Sequence, residues 1–148
     1  MVLTPHILAG AALGASTVNP LVATVGAFAL HFALDAIPHW DYDIRSSRKK
    51  AILKVSADLA VAGVAVLFLI WHMPLEQQIS TLIGGFFGVL PDGLLLLSFI
   101  FKNKYLDRFA RFHNFWHWLI VPKGTKSPLA WGFGIQVALI FTAILNIF

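Results

Sequence analysis

Residues 75–101 read LEQQISTLIGGFFGVLPDGLLLLSFIF, a stretch whose only charged side chains are Glu76 and Asp92. A helix needs roughly 20 predominantly apolar residues to cross the hydrocarbon core of a bilayer, and this stretch exceeds that. A strand is improbable, because lipid does not tolerate open sheet edges and nothing here alternates in the pattern of a membrane barrel. The Leu90-Pro91-Asp92-Gly93 step predicts a break in the helix at Pro91, since proline lacks the N–H of the helical ladder. At membrane depth such a break borders protein or a water-filled cavity. Gly84 and Gly88, like Gly10 and Gly14, have the small-xxx-small spacing of close helix packing. That spacing recurs by chance in Gly-rich apolar sequence and carries little weight alone.

Working outward, Thr4-Pro5, Asn19-Pro20, Met73-Pro74 and Ser127-Pro128 each precede an apolar stretch. Proline suits the first turn of a helix, where its missing N–H would have no partner. The resulting segments are 5–16, 20–37, 48–71, 75–101, 103–120 and 128–147. The third, fourth and sixth are long enough to span, the second is borderline, and the first is too short to cross alone. The fold class predicted is all-α, a polytopic membrane bundle of about four to six helices forming one domain over 1–148. The composition agrees: 58% of the 148 residues are hydrophobic and only 12% charged, about half the charge of a soluble domain. There is no cysteine, which excludes disulfides and thiolate chemistry. The opening residues MVLTPHILAG hold no Lys or Arg, so no removable signal peptide is expected.

The basic residues are one-sided. Arg45, Arg48, Lys49, Lys50 and Lys54 follow the second segment, Lys102, Lys104, Arg108 and Arg111 follow the fourth, and Lys123 and Lys126 precede the sixth, whereas 72–78 has none. Because Lys and Arg accumulate on the cytoplasmic side of short loops, all eleven are predicted to face the cytoplasm and the 72–78 turn the outside.

Ionisable residues inside apolar segments are costly and are functional candidates by default. Residues 31–43 read HFALDAIPHWDYD, with His31, Asp35 and His39 spaced along one helix face until Pro38 ends or bends it. Under the predicted topology His6, His39, Asp41, Asp58, His113 and His117 all fall near cytoplasmic ends, and Asp92 lies deeper in the same half. Imidazoles and carboxylates together suit a borderline divalent ion, Zn²⁺, Mn²⁺ or Fe²⁺, with one or two bound. His113 and His117, one turn apart, can serve one ion from one helix face, although an aromatic-rich basic helix resting among headgroups would also carry them. Asp35 or Asp58 would be the catalytic base or would hold a histidine tautomer. Asp58 has an alternative as a helix cap or Lys partner, and His72 and Glu76 read as loop residues.

With these residues the chain resembles the family of small prokaryotic inner-membrane proteins described as membrane-bound metal-dependent hydrolases, some under LexA control. The matching elements are His6 in TPHILAGAALG, the IPHWDYD run, the LPDG step, and His113 and His117 in FHNFWHW. The resemblance implies metal ligands at His6, His39, Asp41, Asp92, His113 and His117. The last element departs from the family's H-R-x-x-T-H, lacking its Arg and Thr. His31 joins the metal candidates through the 31–43 run itself; the His31/Asp35 pair is also similar to the ligand spacing of zinc-dependent phospholipase C and helical nucleases, which only favours phosphoester substrates. The chain contains no G-x-S-x-G element and no P-loop. The expected function is therefore hydrolysis of a phosphoester, lipids among the candidates, at a site opening to the cytoplasm, with Arg45 or Lys49 and Lys50 either receiving phosphate or serving membrane-facing electrostatics equally well. Membrane lipids are the expected partners and nucleic acid is not. The alternatives are a small metal or proton transporter and a non-catalytic metal-binding scaffold.

Overall fold

The structure, a computed structural model, describes residues 2–39, 41, 48–120 and 129–145. Among these residues there are six helices and no strand: α1 (Leu3–Thr17), α2 (Pro20–Ala36), α3 (Arg48–Ile70), α4 (Leu75–Ile100), α5 (Lys104–His117) and α6 (Leu129–Leu145).

The boundaries follow from local chemistry. Asn19 caps α2 by accepting from Leu21 N and Val22 N at 3.0 and 3.2 Å, with Pro20 at the first helical position. At the other end Ile37 is extended, the conformation that a following proline imposes, so α2 stops at Ala36 and His39 leaves the helical face. Asn103 caps α5 through Tyr105 N. The cap of α1 comes from elsewhere in the chain. Val2 offers no side chain for it, and Asp58 of α3 accepts from Leu3 N at 2.6 Å, Thr4 N at 3.3 Å and the Thr4 hydroxyl. A carboxylate there also opposes the positive end of the helix dipole.

Short as it is, α1 lies at the centre. Ten of its fifteen residues are buried, and it packs on α4 most extensively, then on α2, α6 and α3. Ile7, Leu8, Ala11, Ala12 and Ala15 form the core with Val66, Leu69, Ile70 and Ala143. The α1–α4 seam is built on glycine. A Cβ added to Gly10 would overlap the Gly84 carbonyl, one on Gly14 the Ser80 carbonyl, and one on Gly88 the His6 carbonyl. Here the small-xxx-small spacing that carried little weight in the sequence brings backbone against backbone.

One expectation is corrected and another is met in part. The first concerns the break at Pro91: α4 runs through it, unbroken from Leu75 to Ile100. Pro91 is buried, so the helix passes it inside the bundle and not in lipid. One turn earlier, the carbonyl of Gly88 accepts from His31 Nδ1 at 2.8 Å, which ties α4 to α2 beside the proline. The second concerns span lengths. Among the described residues only α3, over Ile52–Ile70, and α4 are long and apolar enough to cross a membrane. The described part of α6 has 17 residues, and the rest of the predicted segment lies outside the described residues. Only 17% of the apolar window of α3 and 22% of that of α4 is buried, which leaves Val61, Val64, Leu67, Phe68 and Phe86 exposed.

Candidate metal centre

Four helices deliver the polar side chains to one point. Helix α1 brings His6, α2 brings His31 and Asp35, α4 brings Asp92, and α5 brings His113 and His117. His6, His31, Asp35 and His113 are each at most 1% exposed. Their donor atoms converge on the Asp35 carboxylate. Oδ1 lies 3.1 Å from His6 Nε2, while Oδ2 lies 3.0 Å from His31 Nε2, 3.1 Å from His117 Nε2 and 3.4 Å from His113 Nε2. Asp92 Oδ1 stands 3.3 Å from His113 Nε2 and 3.8 Å from His31 Nε2, and those two nitrogens face each other at 3.0 Å.

The protonation pattern is partly set by the backbone. A carbonyl can only accept, so His31 Nδ1 carries a proton toward Gly88 and a neutral ring presents a lone pair at Nε2. His39 repeats the arrangement, with Nδ1 donating to the Ile37 carbonyl at 2.7 Å. Burial pushes the His39 imidazole down to about 3, which keeps it neutral. Metal-ligating histidines use their second nitrogen in this way. His6 Nε2, despite its proximity to Asp35, is buried without an aligned hydrogen bond, as is Asp92 Oδ2. Ligand atoms about 2.1 Å from a shared ion stand about 3.0–3.4 Å apart, depending on coordination geometry. Most of the distances here fall in that range. The residues therefore fit a divalent metal, and among the described residues two groups of donors could hold one: His31, Asp35, Asp92 and His113, and Asp35, His39 and His117.

An aromatic shell surrounds the imidazoles. The Phe32 ring packs edge-on against His31 at 5.2 Å and His113 at 5.9 Å, and Phe109, Phe112 and Trp116 close around Phe32. Apolar walls exclude water and strengthen electrostatics within. The shell opens on the side of His117 and Asp92, whose side chains are each 17% exposed.

The structure brings together His6, His31, His39, Asp92, His113 and His117 from the expected metal set. Asp35, expected as a base or as support for a histidine, stands among the donors at their centre. Asp58, the other expected catalytic residue, caps α1. Asp41 is exposed and belongs to neither donor group. Asp43, Arg45, Lys123 and Lys126 lie outside the described residues, and Lys49 and Lys50 are exposed on the first turn of α3. The Gly88 carbonyl and the Phe32 shell escaped the sequence reading. The only signal for either was the position of Gly88 in the turn before Pro91.

Compared with family models, curated proteins and solved structures, the chain finds no match in any of the three.

Proposed function

We propose that this chain is a multi-pass inner-membrane protein whose His/Asp cluster holds a divalent metal and hydrolyses a phosphoester on the cytoplasmic side. The observation that carries the proposal is the Asp35 carboxylate ringed by four imidazole Nε2 atoms, with the His31 tautomer set by the Gly88 carbonyl. With no cation at the site, a neutral His31, whose Nδ1 already donates to Gly88, would turn its Nε2 lone pair on the Asp35 carboxylate at a high cost.

The membrane assignment is supported by the exposed apolar surfaces of α3 and α4, which would be a liability in water. It is also supported by the one-sided Lys/Arg pattern. Helix α5 is strongly amphipathic. It turns His113 inward, leaves Lys104, Arg108 and Arg111 exposed, and carries exposed Tyr105, Phe112 and Phe115. Such a helix lies in the headgroup plane, which would put the opening at His117 and Asp92 level with lipid phosphates.

A divalent ion held there supplies Lewis acidity and lowers the pKa of bound water to about 7. The chain's own contributions follow from its geometry. Asp35 and the imidazoles supply donors, Gly88 and Ile37 hold tautomers, and the Phe32 shell excludes water. Asp92, partly exposed at the opening, adds a second carboxylate to the donors. Arg108 and Arg111, exposed on α5, would attract an anionic headgroup. The substrate test is a panel of inner-leaflet phospholipids, lipid phosphates and a chromogenic phosphoester, each assayed with Mn²⁺, Zn²⁺ and Mg²⁺. Turnover that Asp35→Asn and Asp92→Asn abolish supports hydrolysis. Metal-dependent uptake into proteoliposomes without turnover of any ester would make the chain a transporter instead.

A further inference from the structure

The donor set is too large for one ion. The two donor groups comprise six residues, His31, Asp35, His39, Asp92, His113 and His117, and His6 touches the second oxygen of Asp35. A four-coordinate ion uses four donors, and a catalytic one keeps a position open by taking three from the protein. The residues divide in that way, into one group of four and one of three, with Asp35 common to both. The groups also differ in setting. The group of four is buried apart from Asp92, whereas His39 and His117 are both partly exposed and their rings lie 5.2 Å apart.

We infer that the cluster is a two-ion centre bridged by Asp35, resting on the metal reading above. The inner ion is held by His31, Asp92 and His113 with Asp35, and the outer ion by His39 and His117 with Asp35. Asp35 Oδ2 sits within 3.0–3.4 Å of Nε2 atoms from both groups, which is the position of a shared ligand. Bridged hydrolytic pairs have their ions about 3.5–4 Å apart and clamp a substrate oxygen between them. The asymmetry assigns roles. The inner ion, with four donors in a dry pocket, is the tightly held one. The outer ion, with three donors at the opening, has the free position and meets the substrate. His6, stacked on His31 with ring centroids 4.1 Å apart and with Nε2 3.1 Å from Oδ1, stands beside the bridge and in neither donor group.

The experiment is Mn²⁺ titration of chelator-stripped, detergent-purified full chain, read by bound metal and by electron paramagnetic resonance. Wild type is expected to bind about two equivalents, the first tighter than the second, with the spectrum of a magnetically coupled pair. His39→Ala lies beyond the end of α2 and leaves the helices intact. It and His117→Ala are each expected to reduce binding to about one equivalent and to restore the resolved hyperfine pattern of an isolated Mn²⁺. Asp35→Asn is expected to abolish coupling. Wild type that saturates at one equivalent with an uncoupled spectrum overturns the bridged pair and leaves a single-ion site standing. No Mn²⁺ bound to wild type overturns the metal reading itself. The wild-type spectrum decides the question even if a variant fails to fold.

Discussion

His31 on α2 donates its Nδ1 proton to the carbonyl of Gly88 on α4 at 2.8 Å, across 57 residues of sequence. This one bond joins the helix containing Pro91 to the cluster, and it turns His31 Nε2 toward Asp35, His113 and Asp92. Replacing His31 with Ala removes that buried interhelical bond. A hydrogen bond is worth about 0.5–1.5 kcal/mol net, so His31→Ala should be destabilised by at least that amount even with metal stripped away. Thermal unfolding in detergent with excess chelator checks it. Equal stability of the stripped variant and stripped wild type would remove the structural role of the bond.

The glycine seam should be intolerant of any side chain. At Gly10 and Gly84 a Cβ meets backbone, which cannot move aside as a side-chain tip can. Overpacking typically costs about 1–3 kcal/mol, so Gly10→Val and Gly84→Val should fall at or above the upper end. Because His6 and Gly88 lie on the same seam, both variants should also lose bound metal. Gly93 has open space around its Cβ position, and Gly93→Ala should leave both metal and stability nearly unchanged.

Asp58 distinguishes capping from catalysis. As the cap of α1 it should cost about 1 kcal/mol of stability on replacement with Ala, the usual worth of an N-cap. Metal content should be retained. A catalytic base would behave in the opposite way, with activity lost and the melting temperature unchanged. Measuring both on Asp58→Ala separates the two roles.

Metal removal should loosen the cluster. With no cation, the facing nitrogens of His31 and His113 at 3.0 Å and the surrounding imidazoles have only Asp35 and Asp92 to oppose them. A ligand bound only to the folded state at 100 times its dissociation constant adds about 2.7 kcal/mol. Chelator should therefore lower the melting temperature of wild type, and it should leave a variant lacking His31 and Asp35 unaffected.

The absence of cysteine makes topology directly testable. Single cysteines at exposed Lys50 and Lys102 should label only from the cytoplasmic side, and one at exposed Glu76 only from the outside. Labelling of all three from the same side would refute the proposed crossings of α3 and α4.

Much of the helical pattern was legible in the sequence because its punctuation is local. Pro20 with Asn19 starts α2, Pro38 ends it through Ile37, and each observed boundary lies within a few residues of that expected. The members of the cluster were legible for a similar reason, since ionisable residues in apolar segments need partners and few others are at hand. Their arrangement was not. His31 and Asp35 are one turn apart, and that relation can be read from spacing. The bonds from His31 to Gly88 and from Asp58 to Leu3 join residues more than fifty positions apart, and only the packing of α1 on α4 and α3 makes them possible. Pro91 misled because its effect depends on what lies beside it. A lone helix would break there, whereas this one is held along its length by α1 and α2.

The central claim is that the cluster around Asp35 holds divalent metal, and elemental analysis of chelator-free protein purified in detergent tests it most directly. Wild type should carry stoichiometric Zn, Mn or Fe, and Asp35→Asn, prepared identically and shown to be folded, should carry little. Wild-type metal no higher than in an unrelated membrane protein, or metal unchanged in Asp35→Asn, would contradict it.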